Sequence, residues 1–282
     1  MSTNTIELPA DDSVDRINWP ASIPFIAFHV AAVVGVFLVE LRPALLGWAL
    51  FSYAFRMWGM TAGYHRYFSH RSFETSRAFQ FLLALAATLA VQKGPLWWAA
   101  HHRFHHTNAD EPQDIHSPTF RGVLWAHMGW FLCDKYKETK WERVPDLAKY
   151  PELRFIDKYA TVPPVIGAVL LWYFGGWPIF VWAGLVATVA QWHGLFIANS
   201  LCHMYGWKPF DTPDDGRNNP FFAVLLMGEG WHNNHHYYPG AARQGFVWWE
   251  LDPTYYSIKL LEKLRLVWNV HGVPQRVLDA RG

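Results

Sequence analysis

Apolar and polar positions along the chain sort into long uncharged runs and polar stretches of different character. Ala21 to Val39 reads ASIPFIAFHVAAVVGVFLV without a charge, and a second run from about Ala44 to Tyr64 carries only Arg56. Two further runs, Thr161–Phe174 and Pro178–Ala198, are joined by Gly175-Gly176-Trp177-Pro178, as the first two are joined by Glu40-Leu41-Arg42-Pro43. A helix rises about 1.5 Å per residue, so roughly 20 residues cross a hydrocarbon core about 30 Å thick. Each run alone also suits the core helix of a soluble protein; their arrival in pairs favours the membrane. The pattern predicts an all-α membrane protein with four transmembrane helices in two hairpins, at approximately 21–40, 44–64, 161–175 and 177–198. A helical cap of residues 65–160 and 199–282 is left on one side. Ala78–Val91 and Gly122–Cys133 are too short to cross and are expected as cap helices, buried or lying amphipathically at the interface. No repeat, low-complexity run or linker divides residues 1–282, so one domain is expected.

Charge adds a direction. Of the basic residues, 13 fall between His65 and Lys158 and 8 after Asn199, against Arg42 alone in a hairpin turn. The positive-inside rule then puts the cap and both termini in the cytoplasm. Met1–Pro20 is acidic, with Asp11, Asp12 and Asp15, and lacks the basic start of a signal peptide. Lys+Arg number 24 and Asp+Glu 23, a formal charge of +1 that gives no footprint for nucleic acid. A hydrophobic share of 51% with 17% charged residues argues against disorder. Cys133 and Cys202 are too few for a disulfide framework or a thiolate metal site. The 17 Trp fit membrane–water boundaries, and the 15 His are a large stock of metal ligands.

The histidines cluster: His65-Arg-Tyr-Phe-Ser-His70, His102-Arg-Phe-His105-His106, His232-Asn-Asn-His235-His236, and Asn199-Ser-Leu-Cys-His203. On a helix turning about 100° per residue, positions 102, 105 and 106 share an arc of about 100°, as do 232, 235 and 236. Asn199 and His203 would be one turn apart. His65 and His70 would be about 140° apart on an α-helix, so they are expected to serve different metals or to have a helix end between them. Nine histidines exceed one tetrahedral zinc and suit two metals with four or five ligands each; imidazole alone does not say which metal. His101, a turn before His105, is a further possible ligand by geometry. Asp110 and Asp114 read as solvated loop residues. Glu229, directly before the last box, is expected to orient a ligand imidazole. His127, His193 and His271 read as ordinary histidines, and His29 has no assigned role.

TAGYHRYFSHRSF, WWAAHHRFHH, NSLCH and GEGWHNNHH resemble the boxes of the membrane-bound fatty acid desaturases, the delta-9 (stearoyl-CoA desaturase) branch in a bacterial-type version, from about Thr61 to Pro239. The resemblance implies a mushroom-shaped helical protein with a cytosolic diiron cap. It maps ligands onto His65, His70, His102, His105, His106, His203, His232, His235 and His236, with Asn199 reaching one iron through water. His116, in DIHSP, resembles a supporting loop residue. The implied reaction takes two neighbouring hydrogens from an acyl chain with O2, giving a cis double bond and two waters. The chain needs an apolar tunnel, for which Trp97, Trp98, Trp192 and Phe196 are candidate lining residues. Electrons must come from a separate donor, such as a ferredoxin or a cytochrome b5-like protein with its reductase, since no dinucleotide fingerprint follows a strand. Animal members carry Arg-Asp before the second box, where CoA docks; here Ala100-His101 stands there. The acyl carrier is therefore open between CoA, acyl carrier protein and membrane lipid. Two other readings are a diiron hydroxylase or alkane monooxygenase, and a non-catalytic membrane metal sensor or transporter.

Overall fold

The computed structural model describes residues 15–282 and is mostly helical; the start of the acidic stretch, with Asp11 and Asp12, lies outside the described residues. The α-helices are α1 (Trp19–Leu38), α2 (Pro43–Trp58), α3 (Arg77–Thr88), α4 (Pro95–Asn108), α5 (Pro118–Arg121), α6 (Pro145–Ala148), α7 (Pro151–Lys158), α8 (Val162–Ile179), α9 (Ala187–Asn199), α10 (Pro220–Leu225), α11 (His232–Tyr237), α12 (Pro253–Lys263) and α13 (Gln275–Asp279). Most begin with Pro in the first turn, where a missing N–H costs nothing.

Two stretches are long and apolar enough to cross a membrane: Trp19–Leu38 and Val162–His203. The second covers both runs of the later pair. It bends at Gly176, whose φ of 71° is open to glycine and strained for other residues, so the chain reverses there. The outward faces are apolar and solvent-exposed, as at Phe37, Tyr173 and Phe174, the condition expected of helices that meet lipid. α2 is short as an α-helix but continues without a break as a π-helix over Gly59–Ser69. That segment is buried throughout. Gly59 lets it lie against α3: a Cβ there would sit 2.8 Å from the Ala86 carbonyl oxygen.

Of the two short apolar stretches, Ala78–Val91 is largely α3, with Leu83, Ala84 and Ala87 buried. Gly122–Cys133 is not one helix. It breaks into a π turn at Trp125–Gly129 and a 3₁₀ turn at Trp130–Leu132. A two-stranded antiparallel ribbon, β1 (Glu74–Thr75) and β2 (Val267–Trp268), ties the two parts of the cap, pairing Glu74 with Trp268 and Thr75 with Val267.

α4 carries three of the clustered histidines, and its start is held from a distance. The Asp157 carboxylate on α7 accepts from the Leu96 and Trp97 N–H groups at 2.8 and 2.9 Å and from the Thr139 hydroxyl at 2.7 Å. These are N–H groups that the helix itself leaves unsatisfied. Asp157→Ala is expected to cost about 1–2 kcal/mol and to lower the thermal midpoint by a few degrees, with Asp157→Asn falling less; calorimetry in detergent measures it.

Candidate metal centre

Each histidine cluster projects from a different element: the π-helix, α4, the 3₁₀ turn Leu201–His203, and α11. They meet in the cap beneath the membrane helices. His65, His70, His102, His106 and His235 bring one ring nitrogen each within 4.8 Å of all the others. The Nε2 atoms of His65 and His235 are 2.9 Å apart, those of His70 and His102 2.8 Å, and those of His235 and His106 2.9 Å. His105, His203 and His236 form a second such group. His232 joins it, its Nε2 lying 3.0 Å from that of His203 and 3.2 Å from that of His236.

His65 and His70 therefore belong to one group; of the two expectations, different metals is not met, and the helix does end between them, on Ser69. The reason is the π-helix. Its backbone bonds run from residue i+5 to i, and the His70 N–H donates to the His65 carbonyl at 3.2 Å. Residues five apart then stack one above the other, and the rings lie 4.9 Å apart. The expectation for Asn199 and His203 also needs correction. α9 ends on Asn199, and Ser200 turns the chain with φ −121° and ψ −77°, so the two residues share no helix face.

The Nδ1 side of the rings is held by carboxylates. His65 Nδ1 is 2.5 Å from Glu229, His105 Nδ1 3.0 Å from Asp114, His203 Nδ1 2.6 Å from Asp110, and His236 Nδ1 3.3 Å from Asp214. A proton kept on Nδ1 leaves the Nε2 lone pair turned toward the group, the tautomer that a metal needs. Asp110 and Asp114 are thus buried partners rather than solvated loop residues; their loops fold back onto the histidines. Asp214 and Gln244 carried no sequence signal. The Gln244 amide donates to Glu229 at 2.9 Å and approaches Nδ1 of both His65 and His235. Beneath them the buried Arg66 guanidinium spans Glu229 at 3.1 Å, Asp252 at 2.9 Å and the Ala242 carbonyl at 2.7 Å. Gly228, at φ 116°, leaves room for this: a Cβ would lie 2.4 Å from an Asp252 oxygen.

Electrostatics agree with a metal-binding role. Burial, and then the neighbouring imidazoles, push His70, His102, His106 and His235 well below the ordinary histidine value, so their rings are neutral at pH 7. At His105 the Asp114 carboxylate outweighs burial and raises it. Although buried, Asp110, Asp114 and Asp214 are held below the usual carboxylate range by their histidines, and Glu229 by His65 and Arg66. Two groups of ring nitrogens, backed by carboxylates held ionised, fit a pair of divalent or trivalent metal ions.

The remaining predicted residues fall around a cavity of about 1120 Å³, large for a small-molecule site. Trp97, Trp98, Trp192 and Phe196 all line it, and so do Asn199, His65, His102, His105 and His232. His101 lies outside both groups: its Nδ1 meets the Trp97 carbonyl at 2.8 Å, and burial pushes it down to about 4. His116 stacks on His105 with ring centres 4.1 Å apart. His29, His193 and His127 form a hydrogen-bonded row, 3.1 and 3.0 Å, that ends on the Ser200 hydroxyl at 3.0 Å.

Glu229→Gln is expected to weaken metal binding roughly 10–100-fold, the usual effect of losing a ligand's hydrogen-bond partner. The surface change Glu152→Gln is expected to leave it unaltered. Metal per chain, measured after equilibration at buffered iron concentrations, distinguishes the two.

The fatty acid desaturase family profile matches residues 42–269. Across 96% of this chain and 87% of its own length, an acyl-CoA 5-desaturase from Anemone leveillei is 36% identical. An sn-1 stearoyl-lipid 9-desaturase from Anabaena variabilis is 36% identical over 93% of this chain and 96% of its own. An sn-2 palmitoyl-lipid 9-desaturase from a Nostoc strain is 34% identical over 94% of each. The matched segment contains every histidine of both groups, and with that agreement of motif, geometry and overall similarity the chain belongs to the fatty acid desaturase family.

Proposed function

We propose that the protein removes two hydrogens from adjacent methylenes of a fatty acyl chain to form a cis double bond, at the ninth carbon. The observation that carries this reading is the pair of histidine groups, four of whose members, His65, His102, His105 and His232, line one apolar cavity. His65, His70, His102, His106 and His235 are the ligands of one iron, and His105, His203, His232 and His236 those of the other, with Asn199 on the cavity side reaching one of them through water. When bound, the two irons supply the O2 activation that an unactivated C–H bond demands, since the hard chemistry belongs to the cofactor. The balance is one acyl CH2–CH2 unit, O2, two electrons and two protons in, and one alkene and two waters out.

The chain's own residues do three things. The Nδ1 partners Glu229, Asp114, Asp110 and Asp214 fix the tautomers and turn each Nε2 inward. Trp97, Trp98, Trp192 and Phe196 clothe the cavity, orient the acyl chain and exclude water from it. The cap takes electrons from a separate ferredoxin or cytochrome b5-like protein. Support for the ninth carbon comes from relatives named 9-desaturases, though others are named 5-desaturases. The protein is read as a multi-pass protein of a bacterial cell membrane, with four crossings and with the cap and both termini cytoplasmic. The reversal at Gly176 and the unbroken run of α2 into the π-helix support that count.

Expression in a host lacking desaturases, with fatty-acid profiling by gas chromatography and mass spectrometry, tests the reading. New monounsaturated acids with the bond at the ninth carbon are expected; hydroxylated acids instead would replace it with the oxygenase reading. Asn199→Ala is expected to keep most of its iron and lose most turnover, whereas His203→Ala loses iron as well. Unchanged turnover in Asn199→Ala would make Asn199 a packing residue.

A further inference from the structure

One part of the cavity wall meets the starts of the two longest apolar stretches. It is built from the first turns of α1, at Ala21, Ser22, Phe25 and Phe28, and from residues 159–161, directly before α8. These are the starts of the two stretches apolar enough to cross a bilayer. Exposed aromatic residues, Trp141, Phe155 and Tyr159, line the same cavity, and exposed Trp19 opens α1, the kind of residue that collects at membrane–water boundaries. Phe155 and Tyr159 project outward from α7 and the residue after it, while Leu153 and Ile156 of the same helix point into the core.

The charge at this mouth is unbalanced. Lys93, Lys137, Arg154 and Lys158 border it and are exposed. Among the described residues none of the four forms an ion pair. Of the nearby carboxylates, Asp134 accepts from the Asn18 amide and Asp157 from the start of α4 and Thr139, and with Glu138 these three face four cations. Long basic side chains at an interface lay their stems along apolar surface and keep their charge at headgroup level.

We propose that the cavity is loaded sideways from the bilayer, and that its ligand is an acyl chain still esterified to a phosphate-bearing membrane lipid. The four cations hold the headgroup phosphate at the surface, and the chain passes Phe25, Phe28 and Trp192 to the histidines. This rests on the desaturase reading and narrows its substrate class. Entry by this route never draws the chain's methylenes through water, the step that opposes moving a long acyl chain between compartments. Phosphate on a soluble thioester carrier such as CoA would meet the same cations, so the test separates the two sources.

The test uses the full-length protein in lipid nanodiscs. A phosphatidyl lipid with a diazirine near the end of one acyl chain is photolysed, and modified residues are mapped by mass spectrometry. Modification of Phe28, Trp192 or their cavity neighbours is expected, with labelling reduced severalfold in the double variant Arg154→Glu/Lys158→Glu and retained in Arg154→Lys/Lys158→Arg. Metal content equal to that of the parent shows the charge-reversed variant to be folded. Labelling confined to outward residues of α1 such as Val33 and Phe37 overturns the proposal. A second arm supplies the iron-loaded enzyme with O2, an electron donor and saturated chains on phospholipid, CoA or acyl carrier protein. Product on phospholipid supports the proposal, and product on a soluble carrier alone overturns it. Cavity labelling without product on any carrier supports lipid entry while removing the desaturase reading on which the ligand's fate depends.

Discussion

Nine imidazoles packed against one another can coexist only if they are almost all uncharged. Ring centres such as those of His70 and His106 are 4.6 Å apart, and those of His65 and His102 4.5 Å. Two protonated rings at that separation in a buried site would repel strongly, because the interior screens charge far less than water does. Neutrality then creates the next requirement. Each ring must know which nitrogen bears its hydrogen, and a carboxylate at Nδ1 decides it for four of them. Buried carboxylates need a countercharge, and under Glu229 and Asp252 that is Arg66, sealed between them. The loops after α4, between α9 and α10, and from Gly228 to Asp252 are arranged as the outer side of this centre.

The π-helix is the other price of the arrangement, since its backbone geometry is less favourable than that of an α-helix and such segments are rare beyond a single turn. Here it extends over 11 residues. It is tolerated because the segment is enclosed: Gly59 and Gly63 press it onto α3, and Tyr64 and Tyr67 find partners in Thr88 and Gln80. What it accomplishes is a five-residue spacing that brings His65 and His70 into one group.

How far the sequence could be read follows from which features are local. Paired apolar runs are local, and so is the spacing of His102, His105 and His106 along one continuous helix. The grouping of His65 with His70 was hidden because apolar periodicity assumes an α-helical turn. Asn199 and His203 were placed a turn apart on a helix that stops between them, at a Ser200 whose conformation no propensity announces. Asp110, Asp114 and Asp214 sit in polar loops, where a short acidic residue looks the same whether it faces water or a buried ring. Glu229 was legible through its adjacency to the last box. Gln244 and Asp252 lie too far along the chain from any ligand to be recognised.

The distribution of the ligands along the chain has a temporal consequence. The first ligand is His65 and the last His236, while the side chains that brace the group, Gln244 and Asp252, follow later still. A ribosome has therefore released nearly the whole polypeptide before either histidine group can be complete. Completion of the histidine groups is thus a late event in the chain's synthesis, and any metal that depends on both groups can bind only after it.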